Sequence, residues 1–240
     1  VLDAAIAVIG RRRVTLVDYE VGDLIDDQDQ IRMLIDPTSM YGDSQAMALG
    51  RAIDAAVVAA ADGAAATGVD GSTSTVYDTN MTVAKATAWP GVSAGSYGLN
   101  VAKLITAKER LGANNVDPDE DAYLVLNARQ ISSLLKDTHI SSADYNIVRP
   151  LVEGKVAMFM GFTMIPTQLI GVDADSDDKV LFWAKGGMLL GLGKDVMTRI
   201  GERADKSYAT QVYSTLTCGA TRMEETRVGY IECHPSGGPG

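Results

Sequence analysis

The sequence predicts an α+β fold, with one long helix near the start, a mixed middle region and a β-rich end. Small and apolar residues recur at helical spacing from Pro37 to about Asp62, whereas apolar stretches of strand length dominate from Ala122 to Cys233. Hydrophobic residues make up 46% and charged residues 22% of the 240 positions, which is typical of globular proteins. A chain of this length can bury a core of its own, in one or two interlocked domains.

Residues 11–35 are predicted to form an extended, two-stranded arm ahead of the long helix. Three arginines open this segment, and acidic and apolar positions then alternate, a pattern that favours strands. Because we expect the arm to find no apolar surface in its own chain, it should be stable only against neighbouring copies. Its arginines and acids would form salt bridges between copies, since guanidinium and carboxylate groups pair strongly. The candidate contact residues are Arg11, Arg12, Arg13, Asp26, Asp27, Asp29 and Arg149.

Asp36 and Pro37 mark the start of the long helix, because aspartate caps free backbone N–H groups and proline fits the first turn. The helical pattern continues to about Asp62, and Gly63 supplies the stop. A helix of this length spans about 39 Å, roughly twice the average. We therefore expect it to be the spine of the fold.

The region after the spine helix is predicted to be mixed. Residues 64–96 are rich in Gly, Ser, Thr and Ala, which indicates a hairpin or surface loop, and a second helix should run from about Tyr97 to Gly112. Ala122–Leu126 has the pattern of a short strand. Asn127, with Gln130 three positions later, then forms a capping-box pattern for a helix that ends near residue 136.

The last third of the chain is predicted to be mainly β-structure. Val156–Ile165 is apolar on both faces, which is typical of a buried strand. The final β-segment is expected to be interrupted at Gly219 and Gly229, ahead of a Pro- and Gly-rich tail. The further predicted strands are Lys179–Ala184, Met188–Leu192 and the segment Tyr208–Cys233.

The charge and the cysteines exclude several classes of protein. A formal net charge of −10 repels phosphate backbones and argues against a dedicated nucleic-acid reader. Cys218 and Cys233, with His139 and His234 far apart, support neither a zinc site nor a disulfide framework, so we expect two reduced thiols and no cofactor. We expect no membrane span, because no long apolar run is present. Val1–Ile9 lacks the features of a signal peptide, so we expect a processed or truncated N-terminus.

One segment, Gly191-Leu-Gly193-Lys194-Asp195, is similar to a phosphate-binding loop. However, Met188 stands where the first glycine of that motif belongs, and Asp195 replaces the Ser or Thr that would bind magnesium. A nucleotide-binding enzyme that uses Gly193 and Lys194 is therefore kept only as a weaker alternative.

Other candidate chemistry has a simpler interpretation. Asp173, Asp175, Asp177 and Asp178 alternate as in a calcium loop, but the sixth position is not glycine and Ala184 occupies the twelfth, so a solvated acidic turn is favoured. The acids of the arm have no histidine nearby for acid–base chemistry, and no serine stands in a nucleophile elbow. The sequence therefore predicts no catalytic site.

Five segments, in their order along the chain, resemble one family, the major capsid proteins of tailed phages with the Hong Kong ninety-seven-type capsid fold. The resemblance covers most of residues 11–233, whereas the first ten residues do not match the family's long N-terminal arm. None of the five segments is a catalytic signature. They are Arg-Arg-Arg-Val-Thr-Leu-Val-Asp-Tyr-Glu (11–20), Asp-Leu-Ile-Asp-Asp-Gln-Asp (23–29), Leu-Ile-Asp-Pro-Thr-Ser (34–39), Met-Gly-Phe (160–162) and Lys-Ser-Tyr-Ala-Thr-Gln-Val-Tyr (206–213).

The resemblance implies a structural role and a division into parts. Residues 1–36 would be the remnant of the N-terminal arm and the extended loop, residues 119–195 a mixed α/β axial domain, and residues 234–240 a tail. The peripheral domain, with the spine helix and a β-sheet, would comprise residues 37–118 and 196–233. Such a chain would not be an enzyme, and its hexamers and pentamers would self-assemble into the icosahedral shell that encloses a phage genome.

The resemblance also implies where the protein acts and with which partners. It would lie in the virion capsid after assembly in the host cytoplasm, and it would enclose double-stranded DNA without binding it specifically. Portal, scaffold and decoration proteins would be its further partners, and no membrane contact is expected. An encapsulin-like compartment shell protein, which encloses cargo enzymes, is the alternative within the same fold.

Overall fold

The computed structural model describes residues 11–26, 37–92, 95–137 and 158–235. Helices and strands are both abundant in these ranges, which confirms the predicted α+β class. The helices are α1 (Pro37–Asp62), α2 (Val101–Ala113) and α3 (Ala128–Leu135). The strands are β1 (Val17–Ile25), β2 (Ala65–Thr67), β3 (Thr73–Thr75), β4 (Thr82–Val83), β5 (Ala122–Leu126), β6 (Met158–Phe159), β7 (Phe162–Pro166), β8 (Asp178–Ala184), β9 (Met188–Arg203), β10 (Ala209–Arg222) and β11 (Val228–Cys233).

The chain divides into two compact units. The first, here called the six-strand unit, comprises Val1–Arg13, Ala60–Leu189 and Thr221–Gly240. The second, the three-strand unit, comprises Val14–Ala59 and Leu190–Ala220. Among the described residues, none of the helices has the length and apolar character needed to cross a membrane.

The six-strand unit is built on a mixed sheet with the strand order β4-β11-β8-β5-β7-β6. β5 pairs parallel with β7 and antiparallel with β8, which in turn pairs antiparallel with β11. Apolar side chains of these strands and of α2 and α3 form one continuous core. Phe162 and Phe182 are fully buried there and meet edge to face, with ring centroids 6.4 Å apart. This arrangement suits the charge distribution of two aromatic rings.

Asn127 and Gln130 begin α3 as the capping-box pattern predicts. The Asn127 side-chain oxygen accepts a hydrogen bond from the backbone N–H of Gln130 at 2.9 Å. The Gln130 amide donates to the buried carboxylate of Asp178 at 2.7 Å, and its oxygen accepts from the backbone N–H of Leu99 at 2.9 Å. The cap therefore also ties the start of α3 to β8 and to the segment before α2.

A buried arginine, Arg222, stabilises the last turn of α1 in the six-strand unit. Its guanidinium donates to the carbonyl oxygens of Thr75 at 2.9 Å and Ala61 at 3.4 Å, and it lies 4.2 Å from the ring centre of Tyr77. A cation near the carboxyl end of a helix compensates the partial negative charge of the free carbonyl groups. Burial raises the pKa of Tyr77, whose hydroxyl also donates to Ala61.

The three-strand unit contains a sheet with the strand order β1-β10-β9. β1 pairs antiparallel with β10, from Val17 opposite Cys218 to Ile25 opposite Thr210. A turn of five residues joins β9 to β10, so these two strands also run antiparallel. Leu49 of α1 packs on Leu216 and Cys218 of β10 in a small core.

The structure corrects the prediction for the arm. Residues 17–25 form a strand that pairs with β10 of the same chain, so the expectation of a two-stranded arm held only by neighbours is wrong for this part. Residues 27–35 of the predicted arm lie outside the described residues. Pairing between positions so far apart in sequence leaves no local signal, and this is why the pattern did not predict it.

The predicted starts and ends of several elements agree with the structure, and two differ. The spine helix and the strand Ala122–Leu126 have the predicted bounds. α2 begins at Val101, because Asn100 and not Tyr97 caps its first turn. The strand predicted over Val156–Ile165 is instead the hairpin of β6 and β7, whose turn at residues 160–161 has positive φ angles.

The β-rich end differs from its prediction in where it is interrupted. β9 runs unbroken from Met188 to Arg203, although a strand ending at Leu192 was predicted. Gly219 and Gly229 lie inside strands, and the break between β10 and β11 falls at residues 223–227. β11 also shares one sheet with β5, β7 and β8, so segments assigned to the peripheral and axial domains pair directly. The division into an extended loop, a peripheral domain and an axial domain stays a prediction.

Candidate assembly surface

The sheet of the three-strand unit has two unlike faces. Tyr19, Leu216 and Cys218 pack around Leu49 of α1 and so define what we call the inner face. Successive side chains of a strand point to opposite faces, so the neighbouring residues define the outer face. The outer-face residues of β1 and β10 include Asp18, Glu20, Tyr213, Thr215 and Thr217.

Hydroxyl groups of β10 bind the carboxylates of β1 across the outer face. Thr217 donates to Asp18 at 2.6 Å, and Tyr213 donates to Glu20 at 2.5 Å. The hydrogen bond to Glu20 raises the pKa of Tyr213, because the carboxylate favours the protonated phenol. In the described structure, both carboxylates accept only from hydroxyl groups.

Gln45 of α1 organises the polar part of the inner face. Its amide donates to Asp23 at 2.8 Å and to the carbonyl oxygen of Val212 at 3.1 Å, and its oxygen accepts from the Ser214 hydroxyl at 2.8 Å. The Ser214 oxygen lies 2.8 Å from the hydroxyl of Thr198, which is therefore the donor in that pair. This chain of hydrogen bonds places Thr198 of β9 on the inner face.

Strand β9 is an open edge of this sheet, and none of its sixteen residues is buried. Val196 and Ile200 share the inner face with Thr198, yet they are 37% and 60% exposed. Met197 and Arg199 point to the outer face, where Arg199 acts electrostatically on Tyr213. A long edge strand with exposed apolar side chains is typical of a surface that pairs with another chain.

Lys194, from the segment similar to a phosphate-binding loop, lies in the middle of β9. Alternation along the strand gives it the parity of Val196 and Thr198, but its long side chain brings the ammonium to 2.7 Å from the Thr215 hydroxyl, whose side chain lies on the outer face. A phosphate-binding loop must turn from a strand into the N-terminus of a helix. Residues 188–203 are extended throughout, so the nucleotide-binding alternative based on Gly193 and Lys194 is wrong.

The glycines of that segment have a packing role instead. Val14–Leu16 crosses the sheet at a notch formed by Gly193 and Gly219. A Cβ atom on Gly219 would overlap the carbonyl oxygen of Thr15, and one on Gly193 would lie 2.9 Å from Leu16 Cδ1. Glycine in a strand allows this close approach of another backbone. The notch therefore holds the segment before β1 against β9 and β10.

The turn between β9 and β10 presents an exposed aromatic ring. Two hydrogen bonds from Arg203 to Asp205, at 2.9 and 2.5 Å, close the turn and lower the pKa of the Asp205 carboxyl. Ser207 and Tyr208 both adopt left-handed backbone angles, with φ of 55° and 63°. Tyr208 is 64% exposed. Strained residues of this kind cluster at sites that contact partners.

Arg12, a predicted inter-subunit contact, already has a partner in its own chain. Its guanidinium makes two hydrogen bonds of 2.6 Å to the carboxylate of Glu225, within the six-strand unit. The backbone of Arg12 bridges Thr67 and that of Arg13 donates to Ala66 at 3.0 Å, so this segment extends the β2–β3 hairpin. An inter-subunit bridge from Arg12 would have to replace the intrachain pair.

The other predicted contact residues are not brought together. Arg11, Arg13 and Asp26 are exposed. Asp27, Asp29 and Arg149 lie outside the described residues. An inter-subunit role for this set stays a prediction.

The acidic turn near β8 is closed by Lys85. Carboxylate oxygens of Asp173, Asp175 and Asp177 lie within 4.8 Å of one another, a grouping that could hold a cation. The ammonium of Lys85 contacts Asp175 at 2.8 Å and Asp177 at 2.9 Å and supplies a positive charge itself. Hydrogen bonding to Lys85 lowers the pKa of Asp175. Asp177 is buried, so the prediction of a wholly solvated turn is corrected.

Sequence reasoning missed β9 as a candidate surface. Gly191 and Gly193 resemble the glycines of a loop, whereas the strand continues through both of them to Arg203. A usable signal was present, since residues 188–203 contain no proline and no turn-forming pair.

Comparison with known sequences gives one family. The family described as phage capsid protein matches residues 2–234. No curated protein sequence matches this one.

Comparison with solved structures gives the same fold at low sequence identity. The capsid of cyanophage P-SCSP1u is similar with a TM-score of 0.65 and 15% identity, over 91% of this chain and 73% of that chain. The capsid of cyanophage Pam1 has a TM-score of 0.67 and 13% identity, over 93% and 76% of the two chains. The SrpI encapsulin of Synechococcus elongatus PCC 7942 has a TM-score of 0.56 and 10% identity, over 93% and 75%.

Proposed function

The chain belongs to the phage capsid protein family, and on that basis we propose that its copies form hexamers and pentamers of an icosahedral shell around a phage genome. The observation that supports this most directly is β9, a strand of sixteen residues with no buried side chain and with large apolar groups exposed. Apolar surface of this kind becomes stable when another copy covers it. The role is structural and not enzymatic.

The energy for assembly comes from many weak contacts. Each Å² of apolar surface removed from water contributes about 25 cal/mol, so one edge strand supplies only a modest free energy. A closed shell multiplies the contact, because every copy that is already held by one neighbour meets the next at a high effective concentration. Assembly also stabilises the folded state, since the shell binds only folded subunits.

The acidic character of the subunit suits a container for DNA. A formal net charge of −10 opposes binding to a phosphate backbone, so the shell would enclose packed DNA without binding it tightly. We expect the free subunit to show no retention of double-stranded DNA at 50 mM salt in a gel-shift assay. Strong retention that weakens steeply with salt would contradict this part of the proposal.

The place of assembly and the further partners follow from the same role. We propose that assembly occurs in the host cytoplasm, that a portal and a scaffold take part, and that decoration proteins bind the finished shell. We also propose the division into an N-terminal arm remnant with an extended loop (residues 1–36), a peripheral domain (37–118 and 196–233), an axial domain (119–195) and a tail (234–240). The likeness to an encapsulin concerns the fold alone. Gene neighbours separate the two cases, with portal, protease and terminase genes on one side and a cargo enzyme on the other.

Electron microscopy of the expressed chain tests the proposed function. We expect closed icosahedral particles in negative stain when the purified protein is concentrated. Ile200→Glu places a charge on the exposed β9 strand and should reduce the number of particles, whereas Val69→Glu, at a site 78% exposed on the β2–β3 hairpin, is the matched control. A protein that stays monomeric at every concentration, with or without coexpressed phage proteins, would show that the proposal is wrong.

A further inference from the structure

The sheet of the three-strand unit is open at both edges. β1 and β9 lie on opposite sides of β10, and neither has a second strand beside it in the described residues. Both run antiparallel to β10, so they run parallel to each other. An open edge exposes a row of backbone N–H and C=O groups that can pair with a strand of another chain.

The outer faces of the two edges carry opposite charges that lack ionic partners. On β9, Lys194 donates to a threonine hydroxyl, whereas Arg199 donates to the Met197 sulfur and acts electrostatically on Tyr213. Neither forms an ion pair within the described part of the chain. On β1, Asp18 and Glu20 accept hydrogen bonds from hydroxyl groups alone. The outer side of β9 therefore carries the ammonium of Lys194 and the guanidinium of Arg199 together with the carboxylate of Asp195, whereas that of β1 carries two acids.

The inner faces of the two edges are both apolar. Val196 and Ile200 of β9 are exposed beside Thr198, on the face that α1 covers elsewhere. On β1, Val17 and Val21 share the inner face with Tyr19, and Val17 is 47% exposed. When β1 of one copy is placed beside β9 of another, the acids of β1 therefore face Lys194 and Arg199 on one side of the sheet. On the other side, apolar side chains of β1 face apolar side chains of β9.

We propose that β1 of one copy pairs with the open edge of β9 of the next copy, so that the three-stranded sheet continues from subunit to subunit. The proposal rests on the proposed function and deepens it, because it names the two surfaces that meet. Asp18 and Glu20 of one copy approach Lys194 and Arg199 of the other, while the valines of β1 cover Val196 and Ile200. The partner is a second copy of this chain.

The two surfaces are different, so the contact joins copies head to tail. A contact of this type closes into a ring when the rotation between copies fits, as hexamers and pentamers require. β1 has nine residues and is about 30 Å long, so the buried area is small and a single contact is weak. The contact becomes stable only in a closed ring, where every copy uses both of its edges.

Charge exchange tests this contact. The first variant carries Lys194→Glu with Arg199→Glu, and the second carries Asp18→Lys with Glu20→Lys. Each makes the two edges repel, so each alone should lower the yield of oligomers and particles by about tenfold or more. A fourfold variant with both changes should restore assembly. An equimolar mixture of the two variants should form rings with an even number of copies, such as hexamers, because each supplies the edge that fits the other. It should not form pentamers, in which the two variants cannot alternate.

The control carries Asp70→Lys with Asp119→Lys, which alters the net charge as the second variant does but at exposed acids of the six-strand unit. It should assemble like the parent chain. Circular dichroism and thermal melting establish that every variant folds. A variant that does not fold is replaced by the milder exchange of the same residues for Gln and Asn, for which partial loss is expected.

The outcomes separate the contact from the function as a whole, with sedimentation and electron microscopy as readouts. Particles that form equally well from both folded single-edge variants overturn the contact and leave the shell proposal standing. Open oligomers that respond to the exchange, without closed particles, support the contact and contradict the shell. A parent chain that remains monomeric overturns both.

Discussion

The six-strand unit and the three-strand unit use apolar residues in opposite ways. In the first, the buried cluster runs through β5, β7, β8, β11, α2 and α3, and six of the seven residues of β8 are buried. In the second, a small buried cluster of Leu49, Leu216 and Cys218 is accompanied by a few further buried apolar residues, among them Ile25 and Val212, and β9 has no buried residue at all. β8 and β9 are separated only by Lys185–Gly187, and both contain several large apolar side chains. The presence of such side chains in a strand therefore does not decide whether the strand is covered.

This difference teaches where the two parts of the protein obtain their stability. The six-strand unit buries its apolar side chains against its own helices and so carries a core of its own. The three-strand unit has one helix on one face of its sheet and leaves β9 uncovered. A shell subunit needs both kinds of region, because one must fold before assembly and the other must gain free energy from it.

The largest expected effect is the loss of stability when a buried side chain of the six-strand unit is truncated. An equal loss in the three-strand unit would show that the two units are equally well packed. Phe182→Ala removes a fully buried ring from the six-strand unit and should lower the free energy of unfolding by about 3–5 kcal/mol. Leu192→Ala removes a side chain that is 52% exposed on β9 and should change the free energy of unfolding by less than about 0.5 kcal/mol. Urea denaturation of the unassembled protein measures both. Similar losses for the two variants would show that β9 is covered within the subunit.

The next effect concerns the glycine notch of the three-strand unit. Gly219→Ala places a methyl group on the carbonyl oxygen of Thr15, so the segment before β1 must move. We expect a loss of about 1–3 kcal/mol in the free energy of unfolding. Gly201→Ala on β9 meets no atom within 4 Å and is the matched control. If both alanine variants melt together, the notch does not hold the segment in solution.

A smaller effect is expected at the pair of Arg12 and Glu225, whose side chains are 13% and 19% exposed. A double-mutant cycle with Arg12→Ala and Glu225→Ala should give a coupling free energy of about 1 kcal/mol, which decreases as salt is added. The measurement sharpens the comparison, because it shows whether Arg12 belongs to the six-strand unit or is available to a neighbour. A coupling that appears only in assembled particles would show that Arg12 pairs with a neighbouring subunit.

The smallest effect on the subunit itself is expected at Ile200, which is 60% exposed on the inner face of β9. Ile200→Thr keeps the branched shape of the side chain and should leave the melting of the unassembled protein within about 0.5 kcal/mol of the parent. The yield of particles should nevertheless fall, because a polar group replaces part of the apolar contact. Unchanged assembly would mean that β9 remains exposed in the shell.

Much of the fold could be predicted because its signals are local. Pro37 and Gly63 lie at the two ends of α1, and Asn127 with Gln130 begins α3, so a few neighbouring residues specify each boundary. The candidate surface was predicted poorly. The charge pattern of the arm pointed to its arginines and acids as contact residues. The uncovered strand, in contrast, is defined by the elements that do not pack on it, and no short segment of sequence shows this.

The amino-acid sequence by itself determined the presence of the three helices, the Asn127 cap of α3, the α+β class and the resemblance to phage capsid proteins, because these depend on residues within one turn or on segments in order. Only the tertiary structure decided that β1 pairs with β10 of its own chain, that Val14–Leu16 packs against Gly193 and Gly219, and that Arg12 meets Glu225. Each of these contacts joins residues that are more than 170 positions apart, where loop closure and competition among strands choose the partner. The uncovered edge of β9 follows from those pairings, because β1 pairs with the other side of β10 and no other described strand pairs with β9.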